Sequence, residues 1–475
     1  MRVQYAAAHA SRRGSPQDRA LGRLVRPVTP AVGPARARSR PAGPSPAADG
    51  RAGPGSGRAG ARALLAGGAA VAAVAAAAYL AALACHPLAD LLKGFDLRVY
   101  LDGARLAVAH PGRLYAWTYH GHPGIAFTYP PFAALVFAAG LAVPFTGLMA
   151  VVTSVSVLAL LATVSVAFRA LGWRGSARLG GTLLVAGLAL WTEPVQRALF
   201  LGQVEIVLMA LVTWDLCQPA GRRWQGAATG LAAGLKLVPL IFLVYLLLTG
   251  RRRQAAVGAA AFAATVAAGF AVLPSASVTW WLGGDFLAAG RTGFVGGQQN
   301  QSLRGLLTRL AGSVPDGARW WLPLAALAGA AGLAAAARLH RRGYPLAGLL
   351  GCGLTALLVS PVSWDHHWVW IAPGLALALD GAVRAVLWVS AATALWAVFA
   401  AWPDFWSARA GLLGGGLIDY APASAWAHGD NPAYGEYHWH GLQLAAGNLE
   451  VLAGLAAFAL LLAAAFRPPG GWRRH

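Results

Sequence analysis

The chain has 475 residues, of which 57% are hydrophobic and only 12% charged, with a formal net charge of +21. A soluble domain carries roughly twice that charged fraction, and a single apolar core stops growing near ~250–300 residues, so a soluble globular enzyme is excluded. The excess of positive charge does not point to nucleic acid: twelve arginines crowd the first 62 residues against Asp18 and Asp49, and most of the remainder falls between apolar runs, the distribution of the positive-inside rule. Cys85, Cys217 and Cys352 lie far apart without ligand spacing and imply neither a disulfide framework nor a metal site.

Residues 1–62 are rich in Arg, Pro, Gly, Ser and Ala and read as a disordered basic cytoplasmic tail. Apolar runs near the ~20 residues that span hydrocarbon as helix follow at 63–84, 130–147, 149–168, 179–200, 203–217, 227–249, 254–273, 319–337, 345–360, 367–382, 385–402 and 447–466. Residues 63–466 thus form an all-α, polytopic membrane domain with about twelve crossings, and 467–475 a second cytoplasmic tail. Both termini and the clusters Arg251–Arg253, Arg338 with Arg341 and Arg342, Arg384, and Arg467 with Arg473 and Arg474 then face the cytoplasm, and three long loops, 85–128, 274–318 and 403–446, face outside. Strict alternation leaves Arg169, Arg174, Arg178, Arg222 and Arg223 outside, against the rule. The alternative makes 129–168 one crossing plus a re-entrant piece and breaks 227–249 into a hairpin at Lys236–Pro239; the strict version is preferred.

The outer loops carry amphipathic helices suited to the interface. One contains Val99, Leu101, Leu106, Ala107 and Val108; another has Leu303, Leu306, Leu307 and Leu310, with Arg304 and Arg309 on its remaining surface. Loop 403–446 has Phe405, Trp406, Tyr420, Trp426, Tyr434, Tyr437 and Trp439, suited to interfacial anchoring and to sugar stacking.

Seventeen acids serve the whole chain, so each one near the membrane stands out. Asp96 lies at the foot of the first amphipathic helix, where a carboxylate either caps the helix or does chemistry; Asp102 is the reserve candidate. Tyr129 precedes Pro130-Pro131, a pair tolerated in a first helical turn. Lys236 sits in an apolar run, where an unpaired ammonium costs at least ~2.5–3.5 kcal/mol, so it either snorkels or has a partner such as a phosphate, a carboxylate or free carbonyls. Ser360-Pro361-Val362-Ser363-Trp364-Asp365-His366-His367 is the densest polar cluster. Neighbouring histidines point roughly 100° apart on a helix and do not readily chelate one metal, so phosphate or sugar hydrogen bonding is preferred to a metal site. Gln203, Asn300 and Gln301 offer groups that hold sugar hydroxyls, while Glu193 and Glu205 are placed to pair with Arg197. No phosphate-cradling glycine loop, nucleotide fold or nucleophile elbow occurs. An activated sugar on the outer face must therefore arrive attached to lipid.

In order, Asp96-Leu97-Arg98-Val99-Tyr100, Tyr115, Tyr129-Pro130-Pro131-Phe132, Gly202-Gln203-Val204, Gly234-Leu235-Lys236-Leu237-Val238-Pro239, Asn300-Gln301-Ser302 and Ser360–His367 resemble the GT-C glycosyltransferases. Within that fold they are similar to the actinobacterial polyprenol-phosphate-mannose-dependent α-1,2-mannosyltransferases that extend phosphatidylinositol mannosides. The resemblance covers roughly residues 63–466. It implies an inverting transfer of mannose from polyprenyl-phosphate mannose to a glycolipid or cell-envelope glycan on the outer face of the plasma membrane, with no cofactor and no metal. Asp96 matches the general base, Lys236, His366 and His367 the groups on the donor phosphate, and Tyr129, Gln203, Asn300 and Gln301 the substrate-binding positions. The chain departs from the usual glutamine–asparagine pair, having Glu205 in place of the asparagine, which leaves a decaprenyl-phosphate-arabinose-dependent arabinofuranosyltransferase as the nearest alternative. A lipid or sugar transporter and a non-catalytic scaffold are the readings outside enzymes.

Overall fold

The computed structural model describes residues 58–85, 93–119, 125–219, 221–384, 387–400, 436 and 439–467. Of the cytoplasmic tails expected at 1–62 and 467–475, the residues before 58 and after 467 lie outside the described residues, as does most of the aromatic loop 403–446, whereas residues 58–62 already belong to a helix. The remainder is helical, with only isolated bridges such as Asn300 with Trp364 among the described residues.

Among the described residues, five helices are long and apolar enough to cross a membrane alone. They are α1 (Arg58–Cys85), α4 (Phe145–Ala170), α10 (Arg252–Val272), α12 (Val314–Arg341) and α16 (Leu449–Phe466). Between them lie α2 (Phe95–Ala109), α3 (Pro131–Ala138), α5 (Gly175–Ala189), α6 (Glu193–Leu201), α7 (Glu205–Leu216), α8 (Ala227–Leu235), α9 (Leu240–Leu248), α11 (Leu303–Ala311), α13 (Pro345–Val359), α14 (Ile371–Arg384) and α15 (Leu387–Phe399). Exposed apolar side chains such as Leu158, Leu231, Leu247, Leu327 and Leu460 face outward, as they do on a surface solvated by lipid tails. Helices of very unequal length thus fall within the expected apolar runs.

Two of those spans are interrupted. The run 179–200 ends as α5 at Ala189 and restarts as α6, with Pro194 in its first turn, where a missing N–H costs nothing. Helix α6 ends on Gly202, whose φ of 71° is a left-handed cap, and the chain bends by 117° into α7. The run 227–249 breaks at Lys236–Pro239 into α8 and α9. Gly226, Gly230 and Gly234 of α8 pack in order on Gln254, Gly258 and Thr265 of α10, so these two helices run parallel. Leu243 of α9 returns to Gly258, so α8 and α9 form a hairpin. Small residues permit this approach: a Cβ on Gly226 would meet the Gln254 carbonyl oxygen at 2.0 Å.

The hairpin corrects the strict alternation and explains the charges. Arg169 donates to the Cys217 carbonyl at 3.4 Å and Arg251 to the Leu216 carbonyl at 3.3 Å. At the same end Arg341 donates to Leu248 O, Arg342 to Arg467 O and Arg338 to Ala465 O. Each of these caps a helix C-terminus, where a cation is favoured by the dipole and by the orphan carbonyls. Arg169 therefore lies beside Arg251, not across the membrane from it, and Gly226 brings Arg222 and Arg223 to the same end.

The amphipathic stretch at 303–310 is a helix, but Arg309 is not on its polar surface as the pattern implied. It is 2% exposed and donates to Gly296 O, Gly297 O, Asn300 O and Asn448 Oδ1. A guanidinium has five donors in a fixed fork, and here they tie the 296–300 loop to the start of α16.

Arg174→Cys, Arg222→Cys and Arg252→Cys, each introduced into a cysteine-free background, should react with an impermeant thiol reagent from the same side of sealed membranes. Labelling of Arg222→Cys from the side opposite Arg252→Cys contradicts the hairpin.

Candidate active site

Four elements end at the other side of the bundle and converge: the start of α2, the α6–α7 bend, the α8–α9 turn, and the 3-10 segment Asp365–Trp370. Two glycines make the first contact possible. Gly94 precedes α2 at φ 57° and Gly202 closes α6 at φ 71°, and both pack on Met149. A Cβ on Gly94 would lie 2.6 Å from the Met149 sulfur, and one on Gly202 would lie 2.9 Å from Leu97 Cβ. Only glycine meets both the backbone and the space requirement at these positions. Their approach sets Gln203 beside Asp96.

Helix α2 takes Gly94 as its cap, so Asp96 is not the capping residue. Its carboxylate accepts a 2.5 Å hydrogen bond from Gln203 Nε2. The other end of the Gln203 amide accepts from the Tyr100 and Tyr129 hydroxyls, which lie 2.8 Å from each other. Tyr129 is held in turn by the Tyr115 hydroxyl, which donates to its carbonyl at 2.8 Å. Asp96 thus stands on a neutral network. Its confinement there raises its pKa above the ordinary aspartate value, an effect that His366, the Gln203 bond and Lys236 reduce without cancelling. The reserve candidate Asp102 instead pairs with exposed Arg105 at 2.6 Å.

Lys236 has the carboxylate partner that the cost of burying an ammonium demands. Its ammonium donates to Glu205 Oε1 and lies 3.0 Å from His367 Nε2, with the Tyr129 ring face 5.4 Å away. Glu205 therefore pairs with Lys236 and not Arg197. Arg197 instead lies 3.1 Å from Asp365 and 3.9 Å from Glu193. Asp365, which the sequence pattern did not single out as a site residue, also takes His366 Nδ1 at 3.0 Å and so fixes that ring.

The two histidines do not diverge as they would on an α-helix. In the tighter 3-10 turn their rings meet edge to face, centroids 4.7 Å apart, and ligand atoms of Glu205, His366 and His367 lie within 4.8 Å of one another. The cation resident among these donors is the Lys236 ammonium. His366 Nε2 and Glu205 Oε2 are buried and unpartnered.

Asn300 and Gln301 are both 0% exposed and do not line this space. Asn300 donates to Val295 O and accepts from Ser363 N at 3.0 Å. Gln301 donates to Gly447 O and accepts from Val451 N. Their amides are spent on backbone, so they position the histidine segment and leave no group for a sugar hydroxyl.

Lys236, Glu205 and His367 close the polar end of a small cavity, about 50 Å³ in volume, whose walls include Leu208, Met209, Val212, Val238, Phe242 and Leu357. An apolar pocket ending on an ammonium and an imidazole suits the head-proximal part of an amphiphile with an anionic head.

The sequence pattern of glycosyltransferase family 87 matches residues 127–361. A polyprenol-phosphate-mannose-dependent alpha-(1-2)-phosphatidylinositol pentamannoside mannosyltransferase of Mycobacterium tuberculosis is 38% identical over 299 residues, 61% of this chain and 67% of the relative. Its namesake in Mycolicibacterium smegmatis is 37% identical over 303 residues, 61% of this chain and 70% of the relative. A polyprenol-phosphate-mannose-dependent alpha-(1-2)-phosphatidylinositol mannoside mannosyltransferase of the latter organism is 36% identical over 338 residues, 65% of this chain and 74% of the relative. No solved structure matches the chain significantly.

A raised folded-state pKa makes ionised Asp96 a cost to folding at every pH above its unfolded value of ~3.9. Asp96→Asn should therefore melt at the same or a higher temperature than wild type at pH 7, with the gain vanishing below about pH 3.9, where both states are protonated. A clearly lower melting temperature at pH 7 contradicts this. Gly202→Ala, strained by both φ and contact, should lose roughly 1–3 kcal/mol of stability, read by the same melts.

Proposed function

The chain belongs to glycosyltransferase family 87, and from that premise we propose that it moves mannose from a polyprenyl-phosphate carrier to a glycolipid acceptor. It is a multi-pass membrane glycosyltransferase. The linkage is α-1,2 and the site opens on the extracytoplasmic face of the plasma membrane, opposite the arginine-rich end, which the positive-inside rule assigns to the cytoplasm. The donor named for the relatives favours mannose over arabinose, and family membership weighs against the transporter and scaffold readings.

The observation that carries this reading is one carboxylate on a neutral network, facing a lysine–histidine pair at the end of an apolar cavity. The cavity takes the phosphate-proximal part of the isoprenoid chain, and Lys236 and His367 bind the phosphate. Asp96 accepts the proton of the acceptor hydroxyl as its oxygen bonds to the anomeric carbon. The bond from that carbon to the phosphate oxygen breaks on the opposite face, with inversion, and its electron pair stays on the phosphate. A second negative charge develops there, and Lys236 with the histidines stabilises it. Tyr129 and Gln203 hold Asp96 and border the sugar.

In membranes supplied with radiolabelled polyprenyl-phosphate mannose and a phosphatidylinositol mannoside, Asp96→Ala and Asp96→Asn should each lower transfer about 10²–10⁴-fold. Full activity in both overturns the assignment. Because Asp96 must be ionised to act, transfer should fall as the pH drops through its raised pKa, so the acid limb should lie above ~3.9 and vanish from residual activity in Asp96→Asn. Lys236→Met should raise the KM for donor more than for acceptor; equal effects argue against a phosphate contact.

A further inference from the structure

The titratable groups around the polar end of the cavity come from six segments of the chain. Helix α2 gives Asp96, and Tyr129 lies two residues before α3. Helix α6 gives Glu193 and Arg197, α7 gives Glu205, the hairpin turn gives Lys236, and the 3-10 segment gives Asp365, His366 and His367. Arg197 is engaged by Asp365 at 3.1 Å and approaches Glu193 at 3.9 Å. Among the described residues that leaves Lys236 as the fixed cation next to the cavity, and its charge is already matched by Glu205. Glu205 is 7% exposed and also lies 3.3 Å from His367 Nε2. Its second oxygen is buried without a partner.

A phosphodiester entering this space brings one negative charge to a pair that is neutral as it stands. An uncompensated anion in an apolar, membrane-embedded site is costly. We propose that Glu205 is a positioning residue that makes donor binding proton-linked. One proton from solvent enters with the donor and is taken up on Glu205 Oε2, and the Lys236 ammonium passes from Glu205 to the donor phosphate. Glu205 acts through Lys236, as a stand-in for the phosphate while the site is empty. No bond other than this O–H forms or breaks in the step. The inference rests on the donor reading above.

The test is calorimetric binding of polyprenyl-phosphate mannose to the full chain in lipid nanodiscs. Heats measured in buffers of different ionisation enthalpy give the number of protons taken up. Wild type should take up close to one proton per donor bound near neutral pH, and its donor Kd should rise up to tenfold per pH unit above the titration. Glu205→Gln should bind with no proton uptake and a flat pH profile, whereas Glu205→Asp should keep the uptake. If thermal melts show that the glutamine variant is unfolded, Glu205→Asn supplies the neutral side chain instead. Binding by wild type without proton uptake, or equal uptake in the neutral variant, overturns the inference. Absence of any donor binding by wild type is a different result: it removes the donor reading, and this inference with it.

Discussion

In an apolar medium a helix can stop only where its freed backbone groups find partners or line a polar space. Three interruptions in this chain obey that constraint and converge: the Gly202–Val204 bend, the Lys236–Pro239 turn and the Ser360–Trp364 corner. Each places its chemistry-bearing residue at the break itself or just beyond it. Gln203 lies in the first, Lys236 in the second, and His366 and His367 follow the third. Breaking the helices and building the site are one structural event. The glycine contacts that make the breaks possible, at Gly94, Gly202 and along α8, are therefore as much a part of the site as the charged groups.

Charge follows the same economy. Arg197 is tied to Asp365 and Glu193, and Lys236 to Glu205 and His367, while among the described residues Asp96 has only the neutral Gln203 amide as a direct partner. A paired carboxylate would be a weaker base. Held on an amide and two phenols, Asp96 keeps its affinity for a proton, which is what a base working on a sugar hydroxyl needs. In the mechanism proposed above, Lys236 and the histidines take the far side of the sugar, where the departing phosphate gains charge.

Much of this was legible in the sequence, for identifiable reasons. Apolar runs about a membrane thick mark helices such as α4, α10 and α16 wherever no break intervenes. Asp96 stands out because acids are scarce, and Lys236 because an ammonium in an apolar run must have a partner. The hairpin was visible as the version that satisfied the arginine distribution, and charge was the better guide than alternation. Other features depend on contacts between residues far apart in sequence. Nothing local distinguishes the buried Arg309 from a surface arginine on an amphipathic helix, because its partners are loop carbonyls and Asn448. Asn300 and Gln301 have the polarity of sugar-binding groups, but whether an amide faces backbone or ligand is decided by packing. The two histidines converge because the segment is 3-10 and not α, and the Thr192-Glu193-Pro194 start signal of α6 was hidden inside an apolar run.

The central claim is spatial: a lipid-borne sugar sits between Asp96 and Lys236, with its chain in the cavity between α7, α9 and α13. The most direct measurement is an experimental structure of the full chain bound to a non-transferable phosphonate analogue of polyprenyl-phosphate mannose. The phosphonate should lie within hydrogen-bond distance, about 3 Å, of Lys236 Nζ. The anomeric carbon should face Asp96 with room for one hydroxyl between them. A phosphonate bound elsewhere, or a sugar turned away from Asp96 with the site otherwise intact, would contradict it.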